Sequence, residues 1–256
     1  MYQISNHNYF FIVTASYQRK LNNFRLHNTC HTNTMQQQLP QIYITVVIAT
    51  FLCSLISFRL HYPFHLRLFS ILLEFTALTE ILANFFLSRL HLASNYPVYN
   101  IFILVQYPLL AYYFGHILTS KSLRRITNVF IALYPVFWVS IFLFVYSLND
   151  WCTYGAMAGD FFIIIFSVRY LYELFSGDRL VSFKKHSEFW IAVALVFYSC
   201  CKLPITGILN YLVQDWQHHN RETTLELIAF LQVLNIIMYS LFIYAFLCRA
   251  NFMDKK

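Results

Sequence analysis

Seven stretches of mostly apolar residues constrain this chain more than any other feature. They are Ile42–Phe58, Leu68–Leu87, Val98–Leu118, Ile126–Leu148, Trp151–Leu174, Phe189–Val213 and Leu225–Leu247. Crossing the hydrocarbon core of a bilayer takes about 20 such residues in an α-helix. Strands of a membrane barrel would be about half as long and would alternate polar with apolar residues. The sequence therefore predicts an all-α polytopic membrane bundle with seven transmembrane helices, occupying residues 35–256.

The composition agrees with a chain that is solvated by lipid. Hydrophobic residues make up 59% of the sequence and charged residues only 11%, whereas soluble domains carry about 25% charged residues. The net charge of +7 would suggest nucleic-acid binding in a soluble protein. Here most of the basic residues lie in short loops between apolar stretches, so we expect membrane lipids as partners and no nucleic acid.

The basic residues are divided unequally between the two sets of loops. One set, with the C-terminal tail, holds Arg59, Arg67, Lys121, Arg124, Arg125, Arg179, Lys184, Lys185, Arg249, Lys255 and Lys256. The opposite loops hold only Arg89 and Arg221. Because cytoplasmic loops carry the excess of Lys and Arg, the first set is predicted to be cytoplasmic. Seven spans then place the N-terminus outside and the C-terminus inside.

The segment Met1–Thr34 fits this arrangement poorly. It contains Arg19, Lys20 and Arg25 without any acidic residue, on the side where basic residues should be scarce. Its apolar patch, Tyr9–Ser16, is too short to span and lacks the preceding positive charges of a signal peptide. Two alternatives remain open: the native protein starts at Met35, or the segment is a disordered tail outside the membrane.

Six polar side chains from five predicted helices fall at a similar depth in the outer half of the bilayer. They are Glu80, Gln106, Asp160, Lys202, Gln232 and Asn235. At 1.5 Å per residue they lie roughly 10–16 Å from the outer helix ends. In one interpretation Lys202 pairs with Asp160 or Glu80, and the amides only join helices. In the other, an outward-facing pocket binds a small polar or anionic ligand at Lys202.

Two backbone features lie close to this layer. Pro204 follows Lys202 by two positions, and it removes a helical hydrogen bond, so a bend is expected there. Gly155 and Gly159 form a GxxxG motif just before Asp160. Small residues at this spacing allow another helix to approach closely, here most simply a helix of the same chain.

Signatures of cofactors and of common enzymes are absent from the sequence. The 6 cysteines form no CxxC motif. The pairs His61 with His65 and His218 with His219 have no third ligand at a recognisable spacing, so neither a metal nor another cofactor is predicted. No GxSxG, HExxH or GxxxxGK[ST] motif occurs, which disfavours an enzyme.

Aromatic patterns in the chain resemble a group of membrane proteins. The stretch Asn95–Phe102, which reads NYPVYNIF, leads into the third predicted helix. Glu188–Ile191, which reads EFWI, opens the sixth, with Phe197 and Tyr198 about two turns further on. These patterns resemble those of uncharacterised small seven-helix bacterial inner-membrane proteins, over Gln41–Phe252. The resemblance implies the fold and a bacterial inner membrane but no activity, and its members usually lack the N-terminal extension.

Three functions remain open on this basis. A receptor or sensor-like module would bind its ligand in the outer polar layer and act on a separate cytoplasmic protein partner; the short inner loops favour it. A transporter of a small solute or lipid would need access from both sides, yet no repeat or pair of broken helices is visible in the sequence. An intramembrane enzyme would have to assemble its acid, base or nucleophile from Glu80, Asp160 and Lys202.

Overall fold

The structure, a computed structural model, describes residues 34–89, 96–146, 150–176, 186–214 and 221–253. Within these ranges it contains seven long helices, one short helix and no strand. The helices are α1 Thr34–Ser54, α2 Ile56–Arg59, α3 Phe64–Arg89, α4 Tyr96–Ile117, α5 Lys121–Phe144, α6 Thr153–Phe175, α7 Ser187–Gln214 and α8 Arg221–Met253. The all-α prediction is confirmed for this part of the chain. The alternatives for the N-terminal segment, and the pair His218 and His219, lie outside the described residues.

Within the described ranges, six helices are long and apolar enough to cross a membrane: α1 continued by α2, α4, α5, α6, α7 and α8. This is the architecture of a multi-pass membrane protein. The remaining long helix, α3, has sufficient length, since its 26 residues extend for about 39 Å. The charged residues Arg67, Glu74 and Glu80 lie along it. The described residues thus contain six candidate spans, and a seventh span at α3 stays a prediction.

The helix bounds differ from the predicted apolar stretches mainly at the ends. The first stretch, predicted as continuous from Ile42 to Phe58, is interrupted at Leu55 between α1 and α2. The turn that follows contains His61 in the left-handed backbone region, with φ of 50°. The last helix, α8, runs for 33 residues and exceeds its predicted stretch at both ends. Apolar stretches mark the part of a helix that contacts lipid, whereas the helix itself continues as long as its backbone bonds are made.

Six of the long helices form a closed ring. Each packs on the next in the order α1, α3, α4, α6, α7 and α8, and α8 packs back on α1. The helix α5 lies outside this ring against α4 and α6. It exposes an apolar face that includes Leu133, Val136, Leu143 and Phe144, which suits contact with acyl chains. The arrangement leaves the centre of the ring enclosed by six helices.

Candidate functional site: a polar cavity inside the helix ring

A cavity with a free volume of about 50 Å³ lies at the centre of the ring. All six ring helices contribute side chains to its wall, and Trp151, just before α6, lines it as well. One buried water needs about 10–15 Å³ of such volume. The cavity therefore accommodates roughly three to five waters, or a ligand of a few non-hydrogen atoms, without movement of the helices.

Five of the six residues that the sequence grouped by depth line this cavity: Glu80, Gln106, Asp160, Lys202 and Asn235. The sixth, Gln232, is buried on α8 but is not part of the wall. The structure thus brings residues of five helices together in space. A role for them in ligand binding stays a prediction.

Lys202 of α7 forms a buried ion pair with Asp160 of α6. The Lys202 Nζ atom lies 2.9 Å from Asp160 Oδ2, and the two side chains are only 7% and 3% exposed. Lys202 also donates to the hydroxyl of Tyr107 over 3.2 Å. That hydroxyl in turn donates to Asp160 Oδ1 over 2.9 Å. Of the two acidic partners that the sequence allowed for Lys202, the structure selects Asp160.

Two tyrosine rings flank the ammonium group of Lys202. Its Nζ lies 5.9 Å from the ring centroid of Tyr107 and 5.6 Å from that of Tyr198. Both distances are within the range of a cation–π interaction, which is stronger in a desolvated site. The ammonium group is thus held by one carboxylate, one hydroxyl and two aromatic faces.

Gly159 allows Tyr107 to reach this pair. The Tyr107 ring lies directly on Gly159, so that a Cβ atom at that position would overlap the ring. The preceding Gly155 is similarly close to the Cys152 thiol, where a Cβ would lie 2.7 Å from Sγ. The GxxxG motif therefore serves contacts within the chain, and it places Asp160 beside α4. The bend expected at Pro204 does not end α7, which is helical through that position.

A second carboxylate, Glu80 of α3, lies in the same cavity wall. Its Oε1 accepts a hydrogen bond of 2.7 Å from the Tyr43 hydroxyl. Its Oε2 accepts one of 2.8 Å from the Tyr99 hydroxyl. Tyr239 lies within hydrogen-bonding reach of Tyr43. Tyrosine hydroxyls thus meet both oxygens of Glu80.

The tyrosines were missed by reasoning from sequence, although a signal was present. A buried tyrosine usually finds a partner for its hydroxyl, and the chain has 19 tyrosines, many of them inside apolar stretches. Matching these hydroxyls to the few intramembrane carboxylates would have narrowed the set of possible partners for Asp160 and Glu80. Sequence alone does not give the rotation of each helix, so it could not have assigned Tyr107 to Asp160.

The segment before α6 is fixed to α4 by Asn100. The Asn100 side chain donates to the Asp150 carbonyl over 2.8 Å and accepts from the Cys152 amide over 3.2 Å. Trp151, between them, is thereby held against the cavity. Burial raises the pKa of the Cys152 thiol to about 11, so this cysteine stays protonated at neutral pH.

Aromatic rings close the cavity at its other end. Phe69 of α3 and Phe242 of α8 both line it, and their ring centroids are 5.0 Å apart in an edge-to-face arrangement. Phe69 also lies 5.3 Å from the ring of Tyr113 and 6.4 Å from that of Phe246. These four residues form an aromatic floor beneath the polar cavity.

A second ionic cluster lies beyond the aromatic floor. Glu188 Oε1, at the start of α7, is 2.8 Å from His65 Nε2 and 3.0 Å from Arg249 Nη1. Arg249 also lies over the ring of Tyr62, 5.5 Å from its centroid. His65 thus contacts a carboxylate, although the sequence had only suggested His61 as its neighbour. Among the described residues no group of three or more potential metal ligands occurs.

Comparison with protein-family models, with curated proteins and with solved structures finds no match to this chain. The fold and the site therefore define its class by themselves. It is a multi-pass α-helical membrane protein with a small polar cavity enclosed by a ring of helices.

Proposed function

We propose that the protein is a receptor or sensor-like membrane module that binds a small polar or anionic solute in this cavity. The observation that carries the proposal is free volume beside a buried ion pair. Protein interiors are close-packed, and an ion pair that only holds helices together gains nothing from adjoining space. Lys202 and Asp160 instead line a cavity large enough for a small solute.

We further propose that all seven long helices cross a bacterial inner membrane, with the N-terminus outside and the C-terminus in the cytoplasm. The distribution of Lys and Arg between the loops supports this orientation. The position of α3 in the ring, between α1 and α4, supports the seventh span. Its ionisable side chain Glu80 faces the cavity and not lipid, which lowers the cost of burying it.

Signalling would require a separate cytoplasmic protein partner, reached through the basic loops. Glu74 is our candidate for a second contact, with a membrane helix of that partner. Glu74 is exposed near the middle of α3, beside the exposed apolar residues Ile71 and Leu78. A carboxylate facing lipid at that depth is costly, so a polar group of another membrane helix would stabilise it. Replacing Leu78 by a photo-crosslinking residue should capture such a partner in native membranes, and Glu74→Leu should abolish the capture. Capture that is unchanged in Glu74→Leu would remove Glu74 from the proposal.

Ligand binding is tested on the purified protein in lipid nanodiscs. Native mass spectrometry should find a co-purified small molecule, and a solute screen should identify compounds that raise the melting temperature and change the fluorescence of Trp151. Lys202→Met should lose both responses. Lys121→Met, which removes an exposed lysine at the start of α5, is the matched control and should keep them. Equal responses in the two variants would place binding outside this cavity and refute the proposal.

A transporter of a small solute or lipid is the second candidate, and one observation favours it. The polar cavity, the aromatic floor and the cluster of His65, Glu188 and Arg249 follow one another along the inside of the same ring. Such a sequence of sites resembles a path closed at one point. In proteoliposomes a transporter would accumulate or equilibrate the solute that binds, and Phe69→Ala in the floor would change the rate. A receptor would show binding without flux.

An intramembrane enzyme is the third candidate. It would use Glu80, Asp160 and Lys202 as its reactive groups, and it would be recognised by chemical change of the bound solute. No observation favours it over the other two.

A further inference from the structure

We infer that the solute is a small monocarboxylate that replaces Asp160 on Lys202, and that its binding transfers one proton from solvent to Asp160. This inference rests on the proposed function, because it places the ligand in the same cavity. It adds the chemical class of the ligand and a measurable coupling to protons.

The ammonium group of Lys202 is placed to bind a carboxylate. Lys202 Nζ contacts both oxygens of Asp160, at 2.9 Å for Oδ2 and 3.3 Å for Oδ1. The geometry is that of an ammonium group placed against a carboxylate, and a second carboxylate could occupy the same place. The free volume admits only a few non-hydrogen atoms, which corresponds to formate, acetate or propionate.

Binding of an anion would change the net charge of the buried site. The pair of Lys202 and Asp160 is neutral, so an added anion would leave one uncompensated negative charge in a buried cavity that Glu80 also lines. Such a charge is strongly unfavourable inside a membrane. Protonation of Asp160 restores neutrality: the contact of Nζ with Asp160 breaks, the contact of Nζ with the ligand forms, and an O–H bond forms on Asp160. Each binding event then takes up one proton and no electrons.

Tyrosine hydroxyls and one lysine surround Asp160. Tyr107 of α4, whose hydroxyl is 2.9 Å from Oδ1, can keep its hydrogen bond with a protonated carboxyl because a hydroxyl both donates and accepts. The other groups facing Asp160 are Tyr134 of α5 and, from α7, Tyr198 and Lys202. Glu80 also lines the cavity. Asp160 and Glu80 are therefore the two carboxylates able to take the proton, and Asp160 is the one that loses its cation.

Isothermal titration calorimetry on the full chain in nanodiscs tests the inference. Formate, acetate and propionate are the probes, with acetamide as the neutral probe of similar size. The dissociation constant should rise about tenfold per pH unit while Asp160 is ionised in the free protein, because binding takes up a proton. Titrations in two buffers of different ionisation enthalpy should report about one proton per bound acetate. Acetamide should show neither effect.

Variants assign the proton to its residue. Asp160→Asn, which resembles the protonated side chain, should bind acetate more tightly, without pH dependence and without proton uptake. Glu173→Gln is the matched control: its carboxylate accepts from Thr119, outside the cavity, and its removal should leave the pH dependence unchanged. If Asp160→Asn does not fold, the proton count on the unaltered protein decides the question.

Several results would overturn the inference and leave the proposed function standing. One is acetate binding that needs Lys202 but takes up no proton. Another is a pH dependence that survives Asp160→Asn and disappears in Glu80→Gln. Binding of acetamide alone, or of none of these probes while another solute of the screen binds through Lys202, would exclude the carboxylate class. Loss of every Lys202-dependent response would refute the proposed function itself.

Discussion

Removing the positive charge of Lys202 should destabilise the protein far more than its size suggests. In Lys202→Met the apolar stem is nearly preserved, but Asp160, with a side chain that is 3% exposed, loses its cation. Breaking a buried ion pair in this way costs about 3–5 kcal/mol. The remaining hydrogen bond from Tyr107 and the option of protonation place the expected cost near the lower limit, at about 3 kcal/mol. For a domain of this size that corresponds to a melting temperature lower by roughly 6–12 °C.

The double variant separates the charge from the packing. In Lys202→Met with Asp160→Asn, no charge remains in the pair, and the asparagine oxygen still accepts from Tyr107. Neutral replacement of a buried pair is often without cost, so stability should return to within about 1 kcal/mol of the unaltered protein. Asp160→Asn alone, which leaves Lys202 without a carboxylate, should lose about as much as Lys202→Met.

Thermal unfolding of the purified variants, followed by tryptophan fluorescence, gives the double-mutant cycle. We expect a coupling free energy of at least about 2 kcal/mol between the two positions. Lys121→Met, at an exposed site, should lie within about 0.5 kcal/mol of the unaltered protein. If the double variant loses the sum of the two single losses, the side chains are energetically independent and the reasoning fails.

Gly159→Ala should cost about 1–3 kcal/mol of stability, because its Cβ would overlap a tyrosine ring. Gly207→Ala, whose Cβ would meet only one atom at 3.9 Å, should be neutral or stabilising. Equal melting temperatures of the two variants would contradict this. Glu188→Gln, which weakens two ionic contacts, should lower the melting temperature more than Glu173→Gln does in the same assay. Cys152 should resist iodoacetamide at neutral pH, because burial raises the pKa of its thiol to about 11 and keeps it protonated. Peptide mass spectrometry should find labelling only as the pH approaches that value, and rapid labelling at neutral pH would exclude a buried thiol.

The apolar stretches were sufficient to predict the helices, because the bilayer demands about the same length of each span. They did not predict where the helices end or the interruption at Leu55, because backbone geometry and not hydropathy determines these positions. They also gave no sign that α5 would lie outside the ring. Its apolar residues are distributed more one-sidedly around the helix than those of its neighbours, a signal that the length of an apolar stretch does not use. Its packing against α4 and α6 shows its position.

The candidate site was predictable in its composition but not in its connections. Depth along each helix follows from a constant rise per residue, so counting brought Asp160, Lys202 and Glu80 to one level. The direction in which each side chain points depends on helix rotation, which a nearly uniform apolar surface does not encode. The partners Tyr107 and Tyr43 therefore became visible only in the structure, and Gln232 proved to lie outside the wall.

The two ionic clusters share a helix, and this gives ligand binding a route to the opposite end of the bundle. Lys202 and Glu188 are both on α7, 14 residues and about 21 Å apart. Pro204 lies beyond Lys202, so no proline interrupts the helix between the two clusters. Glu188 Oε2 is buried and has no hydrogen-bond partner among the described residues, while Oε1 is shared by His65 and Arg249. If α7 moves when Lys202 separates from Asp160, the movement would therefore reach the Glu188 carboxylate, which has one oxygen available for a new contact. Because His65 and Arg249 belong to α3 and α8, such a change at Glu188 would alter how three helices meet at the proposed cytoplasmic end, where a signalling partner would bind.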